Sequence, residues 1–359
     1  MRPDFRRIWP VFASLVFCLL LQPPAHAEEL LLSGSSMLTP LEERWVKAYI
    51  REHPDRPVEV LATGSGVGIR SATAGRATIG ASDIPLTPRQ KRQEGGIIAI
   101  PVALSGVVVA ANLPSLPKTA TLRLDGPLLA RLFSGKIRFW DDPGLVAANP
   151  ALSLPHLPVR PIHRSDASGT TFLFTSYLTH TSVLWREAFG IEDRPSWPRE
   201  SVGVPGSAAL RAALLKTPGA VGYLGLGWLE GTPLVRASLK NDRGEFVAPG
   251  RESVQRAAGG LGRGPAFPGG FDRSLVGGEI SGAYPVVGVE FWTVNPDLPE
   301  ETMQEVRNLL LFVLTRGQEP SFVEKSGFAS LPGLPGRQRL RQLLREILPG
   351  NAFRPTTGG

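Results

Sequence analysis

Three times in this sequence a short apolar run breaks off into glycines and hydroxyl residues and then passes directly into a helical pattern. Leu30 to Ser33 leads into Gly34-Ser35-Ser36-Met37. Next comes Thr39-Pro40-Leu41-Glu42, which reads as a capping box with proline at the first helical position, followed by Leu41, Trp45, Ala48 and Tyr49 on one face. Val58 to Leu61 leads into the glycine-rich turn Thr63-Gly64-Ser65-Gly66-Val67-Gly68 and a short helix expected over Ile69 to Ala74. Val159 to Ile162 leads through His163-Arg164-Ser165-Asp166-Ala167-Ser168-Gly169-Thr170-Thr171 into an amphipathic stretch, Phe172 to Leu178. A strand handed over to a helix by small residues is the local grammar of an α/β fold.

The same units carry a chemical expectation. The first N–H groups of a helix have no partner within it and lie at the positive end of its dipole, so a tetrahedral or planar anion is a natural occupant. Gly169 lets an anion approach the backbone closely, Ser168 and Thr170 add hydroxyl donors, and Arg164 adds a planar, permanently charged fork. Asp166 can align that fork from behind. Read alone, this run is equally a capped helix with a surface ion pair, and the glycine-rich turn at 63–68 is equally a tight turn, since it lacks the lysine of a P-loop and the spacing of a dinucleotide fingerprint. Asp83 stands at the end of the apolar run Ala77 to Ser82, before a proline-marked turn, where an aspartate is unremarkable.

Residues 1–27 read as a cleaved leader rather than as structure. Arg2, Arg6 and Arg7 precede an apolar run from Ile8 to Leu21, and Ala25-His26-Ala27 offers the small residues that signal peptidase requires. Cleavage after Ala27 places the product in the periplasm and removes Cys18, the only cysteine, and with it disulfide, thiolate and cysteine-metal chemistry. The remaining 332 residues exceed one ordinary core and imply two lobes. The net charge of +7 is spread along the chain, and only Arg337, Arg339, Arg341 and Arg345 cluster, so no basic stripe with interleaved aromatics marks a nucleic-acid surface. Two long apolar segments, Ile97 to Ala111 broken by Pro101 and Gly106, and Tyr284 to Val294 broken by Pro285 and Gly288, read as crossovers between the lobes. Residues 241–283 read as loops around one helix, Ser253 to Ala258. Met303 to Thr315 and Leu340 to Leu348 read as helices, and residues 350–359 as a disordered tail.

Taken in order, Gly34 to Trp45, Gly64 to Gly68, Gly80 to Leu86, Gly106 to Asn112, Leu132 to Asp142, His163 to Leu178, Pro218 to Tyr223 and Ala329 to Pro332 resemble the periplasmic phosphate-binding proteins of high-affinity phosphate ABC transporters. The resemblance implies a two-lobed periplasmic binding protein fold, type II-like, joined by two extended crossovers and closing on one phosphate by hinge motion at the proline and glycine breaks. It divides the chain into one lobe at 28–104 plus 285–349 and another at 105–284. Carried over by position, it implies phosphate binding by Ser36, Met37 through its backbone N–H, Ser65, Arg164, Ser168, Gly169 and Thr170. Asp83 becomes the single acceptor carboxylate, and Asp166 orients the arginine. It further implies an ABC transporter permease and ATPase complex as partner, and a monomer without cofactor or metal. Three departures stand out: Met37 where phenylalanine is usual, Ala167 where glycine is common, and Val67 inserted among the glycines.

Two other readings remain at this stage. One is a secreted phosphatase with Ser65 or Ser168 as nucleophile, which lacks a nucleophile elbow and has only His53, His156, His163 and His180, at no ligand spacing, after the leader. The other is the same fold retuned to another oxyanion or to adhesion.

Overall fold

The computed structural model describes residues 29–261, 267, 268, 271 and 274–349, so the expected leader at 1–27 and the expected tail at 350–359 lie outside the described residues. In chain order the strands are β1 (Leu30–Gly34), β2 (Val58–Ala62), β3 (Ile79–Ser82), β4 (Ile98–Ala111), β5 (Thr121–Leu124), β6 (Arg160–Arg164), β7 (Val202–Val204), β8 (Ala220–Gly225), β9 (Val235–Lys240), β10 (Phe246–Val247) and β11 (Val287–Val294). The helices are α1 (Thr39–Glu52), α2 (Ser65–Thr73), α3 (Pro88–Gln93), α4 (Gly126–Phe133), α5 (Pro143–Ala148), α6 (Gly169–Thr181), α7 (Val183–Ala188), α8 (Gly206–Lys216), α9 (Arg251–Ala257), α10 (Glu300–Val313), α11 (Pro320–Val323) and α12 (Arg337–Ile347).

The sheet path is β2-β1-β3-β11-β4-β8-β6-β7, with β9 pairing β4, β5 and β10. Its two ends are parallel βα arrays: β1 pairs in parallel with β2 and β3, and β6 with β7 and β8. The antiparallel middle joins them. β4 pairs with β11 from Ile98 to Gly106 and with β8 from Val107 to Ala111, so one strand belongs to both lobes. The two segments read as crossovers therefore lie side by side. Pro101 and Gly106 do not interrupt β4: the register shifts between Glu290 and Phe291 of β11, opposite Pro101, and a bulge is where a strand interior tolerates proline.

Each lobe has its own aromatic anchor. Trp45 of α1 meets Trp292 of β11 edge-on at 5.8 Å, and the Trp45 Nε1–H donates to Gly317 O at 2.8 Å. In the other lobe Phe174 stacks on Tyr223 at 4.4 Å, with Phe133 and Trp197 against them. Helix ends follow local chemistry: Asp125 caps α4, Ser168 caps α6 and Ser182 caps α7, each by a side-chain oxygen accepting a backbone N–H.

Two local expectations are corrected. The capping box at 39–42 does not form. Ser35 Oγ accepts from Leu38 N at 3.3 Å and Thr39 donates to Ser35 O at 3.2 Å. That frees Glu42 to turn inward, where it accepts from Trp292 Nε1 at 2.9 Å. The second correction concerns α2, which begins at Ser65 rather than after the glycines. A Cβ on Gly68 would lie 2.6 Å from Ser33 O and 2.7 Å from Gly34 Cα, so the glycine is what lets this helix start directly on β1.

Candidate functional site

The three expected helix starts converge. Ser36, Met37, Ser65, Asp83, Arg164, Ser168, Gly169 and Thr170 are all buried where the two lobes meet. Ser36 and Met37 sit in the turn before α1, Ser65 is the first residue of α2, and Asp83 follows β3 directly. Opposite them, Arg164 ends β6, Ser168 caps α6, and Gly169 and Thr170 form its first turn.

Bonds cross between the lobes at this point. Thr170 Oγ1 donates to Asp83 Oδ2 at 3.2 Å, and Ser65 Oγ donates to Asp83 Oδ1 at 3.3 Å while accepting from Gly169 N at 3.3 Å. Gly66 N donates to Ala167 O at 3.4 Å, and a Cβ on Gly66 would lie 2.8 Å from that of Ala167. The alanine standing where glycine is common is thus matched by a glycine opposite. Met37 packs on Gly225, whose hypothetical Cβ would lie 2.6 Å from the methionine Cγ.

Arg164 is only 2% exposed, so its charge is held by designed partners. Nε donates to Asp166 Oδ1 at 2.7 Å, Nη2 to Asp166 Oδ2, and Nη1 to Ser207 Oγ at 3.3 Å. Burial pushes the Asp166 carboxyl up, but the hydrogen bonds and charge of Arg164, with the Gly206 N–H at 3.0 Å, outweigh it and hold the group below its ordinary value. Burial is also the largest influence on Asp83 and raises it. The Ser35 hydroxyl, the neighbouring Glu290 carboxyl, the charge of Arg164 and the Thr170 hydroxyl all pull the other way.

Residues that sequence reasoning missed complete the shell. Ser207, in the first turn of α8, shares a hydrogen bond with Ser36 Oγ at 2.9 Å and donates its own N–H to the same oxygen at 3.1 Å. The signal was present in Val204-Pro205-Gly206-Ser207, a fourth run of small residues opening a helix. Tyr223 of β8 is the second. Its hydroxyl accepts from Arg164 N at 3.3 Å and pairs with Thr171 Oγ1 at 2.8 Å, and burial pushes the phenol up to about 12. Trp228 Nε1 donates to Ser36 O at 3.1 Å, fixing the first turn from the other lobe.

The histidines have other occupations. His163 stacks on Trp197 at 4.6 Å with Nδ1 against Arg164 O, His53 packs on Tyr49, His156 pairs with Asp141 and His180 with Asp242. Among the described residues no group of three or more His, Cys, Asp or Glu is placed to hold a metal ion, and no helix is long and apolar enough to cross a membrane.

Residues 22–299 match the PBP superfamily domain. The chain is 35% identical over 236 residues to the phosphate-binding protein PstS of Haemophilus influenzae, an overlap of 66% of this chain and 70% of that protein. It is 30% identical over 309 residues to PstS of Methanocaldococcus jannaschii, covering 81% of this chain and 79% of that one. Its fold is similar to a high-affinity periplasmic phosphate-binding protein, PfluDING, solved with phosphate bound: the TM-score is 0.65 at 18% identity, over 89% of this chain and 93% of the other.

Proposed function

Because this chain belongs to the PBP superfamily and, within it, to the phosphate-binding protein PstS family, we propose that it captures inorganic phosphate between its lobes outside the cytoplasm and delivers it to an ABC transporter for import. In this reading residues 28–104 with 285–349 form one lobe and 105–284 the other. Ser36, Ser65, Ser168 and Thr170 donate through hydroxyls, Met37 and Gly169 through backbone N–H groups, and Arg164 through guanidinium N–H groups not taken by Asp166. Ser207 joins the set.

The observation that supports the reading is the convergence of the buried Arg164 guanidinium and the buried Asp83 carboxyl with neutral donors drawn from both lobes. Neutral dipoles stabilise a dianion without the grip of several full charges, which suits capture followed by release to a transporter. Asp83 can only accept when ionised, so its ligand must bring a hydrogen. Hydrogen phosphate has one at neutral pH and sulfate does not. An enzymatic reading gains no support: Ser65 donates to Asp83, which also accepts from Thr170, and the described histidines are engaged elsewhere.

The test is calorimetric titration of phosphate-stripped protein with phosphate, arsenate and sulfate. One-site binding of phosphate, matched by arsenate and with sulfate far weaker, is expected. No heat with phosphate, or equal affinity for sulfate, would sink the reading.

A further inference from the structure

Behind Asp83 lies a second carboxyl that the anion site itself does not use. Glu290 of β11 is wholly buried, and neither of its oxygens meets a hydrogen-bond donor. The register explains its place: Phe291 pairs with Ser82 and Trp292 with Ala81 across antiparallel β3 and β11, so the next step sets Glu290 beside Asp83. On its other side the same position faces the bulge of β4, where Val102 is the extra residue between the partners of Glu290 and Phe291.

The groups facing Glu290 are Asp83 after β3, Ser105 of β4, whose hydroxyl likewise lacks a partner, and Glu42 of α1. None is a cation. Among the described residues the cation that acts on Asp83 is Arg164, from the other lobe. An ionised Glu290 would therefore be an acceptor-only group with no donor beside it but the Ser105 hydroxyl, pressed against a second carboxylate in a dry interior. As a carboxylic acid it becomes a further donor to Asp83, from the β11 side.

We propose that Glu290 is a positioning residue for the anion site: a neutral carboxylic acid that donates its O–H to Asp83, holding the buried acceptor ionised and its remaining lone pairs turned toward the ligand. This rests on the reading of Asp83 as the acceptor for bound phosphate. The asymmetry of the two environments decides which carboxyl keeps the shared proton. Burial raises both, but Asp83 has Ser35, Arg164 and Thr170 to stabilise its charge, whereas the neighbouring charges of Asp83 and Glu42 push Glu290 well above the carboxylate range.

Two substitutions and two readouts test it. Glu290→Gln keeps a donor without a titrating proton, and Glu290→Met keeps the bulk without a donor. The infrared carbonyl band of protonated carboxylic acids at pH 7 should be weaker in Glu290→Gln than in wild type. In titrations, Glu290→Gln should bind phosphate within about threefold of wild type. Glu290→Met should bind about tenfold or more weakly, as expected for loss of a hydrogen bond to a charged group. It should also lose preference for phosphate over sulfate, with phosphate affinity newly pH-dependent as Asp83 takes up the proton. An acid band unchanged in Glu290→Gln, or a Glu290→Met protein that binds and discriminates like wild type, overturns the proposal. The infrared measurement needs no ligand, so it decides the proton on Glu290 even if wild type fails to bind phosphate, an outcome that would refute the phosphate reading alone.

Discussion

Asp83→Asn is the substitution on which the specificity argument turns. Asp83 is 1% exposed and already accepts from Ser65 at 3.3 Å and Thr170 at 3.2 Å, so its charge is paired with hydroxyl dipoles rather than with water. A hydrogen phosphate can present its hydrogen to a remaining lone pair. A sulfate can present only a negative oxygen, and an uncompensated charge in such a site costs about 3–5 kcal/mol, which corresponds to a preference of roughly a hundred- to a few thousandfold. The amide of Asp83→Asn can donate to sulfate through its nitrogen, while its oxygen still accepts from a hydroxyl. Phosphate loses one charge-assisted bond worth about 1.5–3 kcal/mol, part of which the amide replaces, so its affinity should fall by about tenfold. The ratio of sulfate to phosphate dissociation constants should then collapse to within about tenfold of unity. The assay is isothermal titration with both anions at one pH and ionic strength. An unchanged ratio would mean that Asp83 is a turn residue and that discrimination arises elsewhere.

Three further outcomes are expected. Arg164→Ala removes the guanidinium of the candidate site and should weaken phosphate by on the order of a hundredfold, with Arg164→Lys recovering only part because a point charge cannot reproduce the fork. It should also raise the pH of acid unfolding. Asp166, held below its ordinary value, contributes stability that is present above the ordinary carboxylate range and lost as pH falls through the folded value, and that contribution disappears with the arginine. Gly169→Ala should wedge the lobes apart, because its Cβ would lie 2.6 Å from Asp83 Cβ and 2.7 Å from Ser65 Oγ. Titration should show at least about tenfold weaker binding with an unchanged melting temperature, and unaltered affinity would show that the lobes meet elsewhere. Glu42, raised by burial from 4.5 to about 8, contributes stability that is full below the unfolded value and lost as pH rises toward 8. Glu42→Gln keeps an acceptor for Trp292 and should be more stable than wild type by roughly 3 kcal/mol at pH 7, with no such gain at pH 4; equal denaturation midpoints at pH 7 would exclude a buried proton there.

Much of the candidate site is legible in the sequence alone, because its parts are local. A strand, a run of small and hydroxyl residues and a helix start form one short segment each, and the N-terminal N–H groups that bind anions follow from that segment alone. Arg164 and Asp166 lie two residues apart, so their ion pair is also a local affair. What the sequence could not decide was anything that depends on two segments meeting. Glu42 was read as a capping residue because its spacing from Thr39 is right, but burial against Trp292 outweighs one exposed cap. Ser207 lies 171 residues from Ser36, and only the approach of α8 to the first turn before α1 brings their hydroxyls to 2.9 Å. Glu290 sits in a run of apolar residues with no motif around it. The antiparallel register of β11 on β3 places it beside Asp83, and a proton shared between two carboxyls distant in sequence is a property of the folded interior, where the low dielectric makes a second negative charge costly.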